Sequence, residues 1–239
     1  MIQRLIEYGK NQSFQPDFFS IWLNPFYFIR KELFVSIKNY APMLSGKLLD
    51  FGCGRKPYRH LFSVDEYIGI DIETSGHSHE NSQVDIFYDG KHIPFPNATF
   101  DCVFCSEVIE HVFEPDAVLK EIHRVLKPNA LGLFTVPFAW SEHEQPYDYG
   151  RYTSFGIKYL FEKNGFEVIK HQKTGNFIKV IFQLSMLYGH LLFPKNKIIS
   201  TLLNVVCISP IAILGIFLSW LLPANQDLYF NNIVLVRKK

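Results

Sequence analysis

The sequence predicts an α/β fold, a mostly parallel sheet covered by helices on both faces, and three observations predict it. Short apolar runs recur at 47–51, 67–71, 84–86, 100–105 and 131–136, stretches with helical periodicity separate them, and Gly52 and Gly54 stand directly after the first run. Strands that alternate with helices build parallel sheets, because each crossover lays its helix on a sheet face.

Before the first strand, residues 1–45 read as a helical cap with an aromatic interruption. Pro25 opens its second helix, which runs to Tyr40 with Phe28, Leu33 and Ile37 on one face. Residues 46–174 then form the core. Its clearest helices are 116–126, where Ala117, Leu119, Ile122 and Leu126 make a stripe, and 153–164, with Thr153 as N-cap. Gly165 ends that helix and a strand follows at 166–171. The pattern breaks at 175–227, a hydrophobic helical insertion, and resumes at 228–239, where Ile233, Val234, Leu235 and Val236 make a last, seventh strand.

A chain of 239 residues fits one large domain or one domain with an appendage, and not two full enzymatic domains. The 16% aromatic and 20% charged residues lean toward greasy surfaces or membrane contact. A net charge of +1 gives no broad field for phosphate backbones, which argues against nucleic acid. Cys102 and Cys105 lie three apart in a strand, point to opposite faces and cannot share an ion, so Cys53, Cys102, Cys105 and Cys207 read as reduced buried thiols. The first ten residues carry Arg4, Glu7 and Lys10 and no long apolar run, so they do not read as a secretory signal, and a cytoplasmic catalytic part is expected.

Two glycines after a strand let a small ligand lie against bare backbone. Asp71, at the end of the next strand, is placed to accept from both hydroxyls of a ribose, so the pair points to an adenosine-containing ligand. An NAD-linked oxidoreductase is the enzymatic rival. Its fingerprint needs a third glycine to press a helix N-terminus on a pyrophosphate, and Pro57 stands there.

The segment Leu48-Leu49-Asp50-Phe51-Gly52-Cys53-Gly54 resembles motif I of the class I S-adenosylmethionine-dependent methyltransferases, and Tyr67-Ile68-Gly69-Ile70-Asp71 resembles motif II. Asp85, Ile93-Pro94-Phe95-Pro96, Phe100-Asp101, the run from Cys105 through Glu110-His111 to Val112, and Arg124-Val125-Leu126-Lys127-Pro128 continue the likeness over 48–171. The resemblance implies a Rossmann-like, seven-stranded sheet and S-adenosylmethionine as cofactor. It sets Gly52 and Gly54 against the methionine end and the sugar, Asp50 toward the ammonium through water, and Asp71 on the ribose. Asp85 then takes the adenine amino group, and Ser106 and Glu107 face the methionine moiety. Arg55 and Lys56 replace the family's next glycine and read as a solvated loop, with a contact from either to the methionine carboxylate as the alternative.

In open α/β sheets the acceptor lies beyond the carboxyl ends of the strands, here the loop 137–152. Its His143 is the first candidate for general base toward a hydroxyl, with Tyr147, Asp148 and Arg151 to hold the acceptor. His111 is the second candidate, with positioning favoured over catalysis. His77 and His79 flank Ser78 without evident partners, and no metal site is expected.

Within the insertion, 177–193 and 198–222 are apolar and flank Pro194-Lys195-Asn196-Lys197. The second run is long enough for a bilayer of about 30 Å. Because the last strand must rejoin the sheet, crossings come in even number, which leaves a spanning hairpin or a re-entrant wedge bent at Pro210. The wedge is preferred to the hairpin, which would strand two lysines on the far face. A soluble helical cap or dimer interface is the alternative. The expected activity is methyl transfer to a hydroxyl of a small-molecule, lipid-linked or saccharide acceptor at the cytosolic membrane face. A non-catalytic S-adenosylmethionine-binding scaffold is the rival of another class.

Overall fold

The computed structural model describes residues 12–73 and 82–239, so His77 and His79 lie outside the described residues. Seven strands form one sheet: β1 (Lys47–Phe51), β2 (Glu66–Ile72), β3 (Ile86–Tyr88), β4 (Phe100–Ser106), β5 (Leu126–Pro137), β6 (Phe166–Lys173) and β7 (Asn231–Lys238). The helices are α1 (Tyr27–Tyr40), α2 (Pro115–Val125), α3 (Ser154–Lys163), α4 (Phe177–Leu191), α5 (Lys197–Leu203) and α6 (Ser209–Leu221).

The strand order is β3-β2-β1-β4-β5-β7-β6. Strands β1 to β5 pair in parallel and β7 runs antiparallel to β6. This is the seven-stranded, mostly parallel sheet of the class I methyltransferase fold. The order reverses between β1 and β4, which opens a crevice beyond their carboxyl ends.

Two strand starts differ from the sequence reading by two residues or more. β3 starts at Ile86 because Asp85 meets β2 through its side chain, accepting from the Gly69 N–H at 2.6 Å, as well as through its own backbone. β5 starts at Leu126, which pairs with Phe100 ahead of a register shift before Cys102. Asn129, with φ of 62°, supplies the local kink there.

The chain forms two compact units. The first is Ile37–Lys173 with Asn232–Lys239. Its core joins Leu49, Phe51 and Val103 of the central strands to Leu119 and Ile122 of α2 and Phe161 of α3. In α2 the buried stripe is Val118, Leu119, Ile122 and Val125, spaced at the helical period behind a proline in its first turn. Thr153 caps α3 through its side-chain oxygen. In β7 the run Asn231–Val236 is buried throughout, as an inner strand covered on both faces must be.

The second unit is formed by the chain up to Ser36 and Thr174–Asn231. Gln183 of α4 is its polar keystone: Oε1 accepts the N–H groups of Phe28 and Ile29, while the amide donates to the Pro25 carbonyl at 2.7 Å. It thereby supplies from another helix the cap that the first turn of α1 needs. From Ile198 to Leu221 the helix is continuous, about 36 Å at 1.5 Å per residue, with mean hydropathy 2.3 over its most apolar stretch. The sequence places its break at Pro210, and the irregularity falls one turn earlier, as a π-turn at Asn204–Ile208. Proline lacks an N–H for the preceding turn, and the wider loop absorbs the mismatch. Of the cysteines, Cys53, Cys102 and Cys105 are buried and Cys207 is exposed, which corrects the expectation that all four are buried.

Replacing Gln183 with alanine leaves two N–H groups and a carbonyl without partners in an apolar interior. The expected cost is about 2–3 kcal/mol, read as a lowered urea midpoint.

Candidate active site

The glycine loop after β1 is held by backbone. Gly52 and Cys53 N–H groups donate to the Ile70 carbonyl at 2.9 and 3.1 Å, which turns the chain across the end of β2. Gly52 has φ of 72°, and a Cβ there would lie 2.4 Å from Val108. Only glycine satisfies both constraints. A Cβ on Gly54 would meet nothing within 4 Å, so its outer side is open. Its N–H donates to Asp71 Oδ2 at 3.0 Å, and Oδ1 takes the Ile72 N–H at 2.9 Å. Each oxygen keeps acceptor capacity for a further hydroxyl.

A cavity of about 120 Å³ joins Gly52 and Asp71 to residues of the loop after β5. Gly52, Asp71, Glu107, His111, Glu144 and Tyr147 are its polar or bare walls, and Phe51, Ile72, Tyr88, Val108 and Val112 its apolar ones. Ile72 and Tyr88 are shared with a second groove, lined also by Glu73, Phe87, Asp89 and Gly90. Glu107 adopts φ of 56°, a left-handed conformation unusual for its side chain. Its Oε1 accepts from Thr135 Oγ1 at 2.8 Å, and Thr135 Oγ1 also lies 2.8 Å from the Ser106 hydroxyl. Ser106 and Glu107 are thus tied together, with Glu107 in the cavity wall.

Beyond β4, His111 Nδ1 donates to the Tyr147 carbonyl at 2.8 Å, which leaves the lone pair on Nε2. That nitrogen lies 3.9 Å from Glu110 Oε1 and 3.8 Å from Glu144 Oε2. The His111 and His143 rings meet edge to face at 4.7 Å. Burial, and then His111, hold the His143 imidazole below its ordinary value. Glu110 is fully buried, and neither of its carboxylate oxygens has a hydrogen-bond partner. Burial, with Glu107 adding to it, pushes its carboxyl well above the usual range.

Comparison with known proteins fits this geometry. Residues 49–134 match the family described as Methyltransferase domain. A S-adenosylmethionine-dependent methyltransferase of Archaeoglobus fulgidus shares 17% identity over 85% of this chain and 92% of that one, with a TM-score of 0.55. Residues 49–134 are a S-adenosylmethionine-dependent methyltransferase domain, carried on the class I fold. Phosphoethanolamine N-methyltransferase 2 of Haemonchus contortus, solved with S-adenosyl-L-methionine, is 18% identical over 93% of this chain and 56% of its own, with a TM-score of 0.52. The [4+2]-cyclase SpnF, at 18% identity, 87% and 81% coverage and a TM-score of 0.54, shares the fold with a different chemistry in its name.

Other residues singled out in the sequence stand apart from the cavity. Asp50 is buried and accepts from the Tyr67 hydroxyl at 2.6 Å, and burial raises its carboxyl to about 7. Lys56 pairs with Asp85 at 2.5 Å, so Asp85 carries an internal cation. The same pairing corrects the reading of Lys56 as part of a solvated loop, since its side chain is only 9% exposed. With φ of 49°, Lys56 holds the backbone conformation that glycine would supply. Asp148 and Arg151, expected to hold an acceptor, are bound to each other through two contacts of 2.5 and 2.6 Å. Burial alone would raise Asp148, and the hydrogen bonds from Arg151 outweigh it and bring the carboxyl to about 2.

Sequence reasoning missed Asp89, which follows β3 and lines the second groove. Its Oδ1 accepts the Lys91 and His92 N–H groups, each at 2.8 Å. Its place just ahead of Ile93-Pro94-Phe95-Pro96 was the available signal.

The raised carboxyl of Asp50 has a stability consequence. A group whose folded pKa lies above its unfolded one favours the fold most at low pH and loses that contribution as pH rises toward about 7. Asp50→Asn keeps the acceptor for Tyr67 and removes the titration. The variant should therefore gain stability over wild type from about pH 4 to about pH 7, by an amount on the order of 1 kcal/mol per pH unit, and the difference should level off above that range. Chemical unfolding at a series of pH values reads this, and a constant difference would contradict it.

Proposed function

We propose that the chain transfers a methyl group from S-adenosylmethionine to a hydroxyl of a hydrophobic, lipid-linked or saccharide acceptor, at the cytosolic face of a membrane. The observation that carries the reading is that Gly52 and Asp71 line one cavity with Glu107, His111 and Tyr147. The bare backbone at Gly52 and the open side of Gly54 fit a ligand laid against the loop, and the remaining lone pairs of Asp71 fit a ribose. Bound there, the cofactor supplies an electrophilic methyl on a sulfonium. Asp89 and the groove beside Tyr88 suit the adenine better than Asp85, which Lys56 already occupies. Ser106 and Glu107 face the methionine end, and Asp50, behind the loop, favours its ammonium at longer range.

His111 and His143 are the polar handle for the acceptor hydroxyl. Tyr147 sets the ring of His111 through its backbone carbonyl, and the Asp148–Arg151 pair braces the loop that carries His143. Holding the hydroxyl in line and excluding water is the larger part of such a reaction. Beside them the exposed rings of Phe113 and Tyr149 lie 5.2 Å apart, a surface suited to the apolar face of a sugar or to a prenyl chain.

Attachment to a membrane is supported by the apolar exterior of the second unit. Only 28% of the most apolar stretch of Ile198–Leu221 is buried, and Ile198, Val206 and Trp220 are 74%, 68% and 78% exposed. A surface of that kind is costly in water and fits the hydrocarbon boundary of a bilayer.

Two measurements test the reading. Calorimetry should give micromolar binding of S-adenosylhomocysteine, no binding of NAD, and at least a tenfold loss in Asp71→Ala and Gly52→Ala; a folded wild type that binds neither ligand sinks the cofactor site. The full chain should float with anionic liposomes, and the pair Ile213→Glu and Phe217→Glu, on the exposed face of α6, should remain at the bottom of the gradient. Full recovery of wild type below the lipid layer would refute the membrane assignment.

A further inference from the structure

The unpartnered carboxylate of Glu110 asks for an explanation. It is fully buried, neither oxygen has a hydrogen-bond partner, and a buried carboxylate left in that state is strongly unfavourable. Around it lie two imidazoles. One ligand atom each from Glu110, His111 and His143 can be chosen so that all three lie within 4.8 Å of one another.

His111 is oriented as a metal-binding imidazole is, and His143 has a carboxylate beside its ring. His111 donates Nδ1–H to the Tyr147 carbonyl, so its Nε2 carries the lone pair, and that nitrogen is the one 3.9 Å from Glu110. His143 Nδ1 lies 3.2 Å from Asp148 Oδ2 and 3.3 Å from Arg151. The guanidinium can only donate to that nitrogen, while the Asp148 carboxylate beside it is the group that would take an Nδ1 proton with Nε2 turned to an ion. Asp148 also accepts the backbone N–H of His143, which fixes the ring's origin.

We propose that Glu110, His111 and His143 bind one divalent transition-metal cation, Zn²⁺ or Mn²⁺, that receives the oxygen of the acceptor hydroxyl. Two nitrogens and one carboxylate oxygen suit such ions, whereas Mg²⁺ and Ca²⁺ favour all-oxygen shells. Ligand atoms around a tetrahedral Zn²⁺ are roughly 3.3 Å apart, so the ion would draw these groups in by about 1 Å. A fourth position stays open toward the cavity, where His111 is a lining residue. Held there, a hydroxyl becomes more acidic and gives its proton to water more readily. The ligand set stands by itself, while the acceptor's place on it rests on the methyltransferase reading above.

The test uses tag-free full chain, stripped with chelator and desalted. Titrated with ZnCl2 or MnCl2, wild type should bind one equivalent saturably and melt at a higher temperature with the ion than without. Binding should weaken at least tenfold, and the melting shift disappear, in His143→Ala and in Glu110→Gln. S-adenosylhomocysteine titrated into the same metal-free wild type reports on the other reading separately. A sample that binds the thioether and neither ion overturns the metal site and leaves the cofactor site standing; one that binds the ion and not the thioether does the reverse. Ion binding undiminished in both variants places the ion elsewhere and overturns the proposal.

Discussion

The carboxylate of Asp71 is the hinge of this architecture. One oxygen holds the N–H of Gly54 and the other the N–H of the residue that follows Asp71, so the glycine loop of β1 and the end of β2 become one rigid corner. The two bonds from Gly52 and Cys53 to the Ile70 carbonyl complete the corner from the other side. Because the strand order reverses next to β1, this corner borders a crevice that no crossover covers. Its bare backbone and its carboxylate are therefore presented to the same space.

The loop wall of the cavity is built by different means. No strand carries His143, Tyr147 or Arg151; the loop after β5 does, and it is fixed by ionic and backbone contacts. Arg151 reaches Asp148, the Gly150 carbonyl and the Ser141 carbonyl, while the backbone of Tyr149 and Gly150 donates to the Glu110 carbonyl. A loop tied at so many points can hold a polar site open without a hydrophobic core of its own. The division of labour is familiar in α/β proteins: the sheet positions the common ligand and the loops decide what is done with it.

Much of the sheet was legible in sequence, because strands buried on both faces appear as unbroken apolar runs and glycines after them mark turns. The 47–51 strand and the approximate limits of the others follow from that signal alone. Charged residues were harder to place. Asp85 and Lys56 each looked like ligand-facing or solvent-facing groups, and the structure pairs them with each other, since both lie in loops without a period and sequence distance does not reveal which carboxylate meets which cation. The same holds for Asp148 and Arg151. Glu110 was read only as the neighbour of His111, and its burial became evident only once β4 and the loop after β5 were packed on it.

One feature of the topology bears on how the molecule is made. Strand β7 lies between β5 and β6, yet it is encoded after the whole apolar insertion. While the ribosome is still delivering α4 to α6, the nascent sheet ends at β5 with an open edge, and β6 has no neighbour to bond. The helices α4 to α6 are therefore made before β7 can close the sheet between β5 and β6, so the last strand completes a fold whose two flanks are already synthesised.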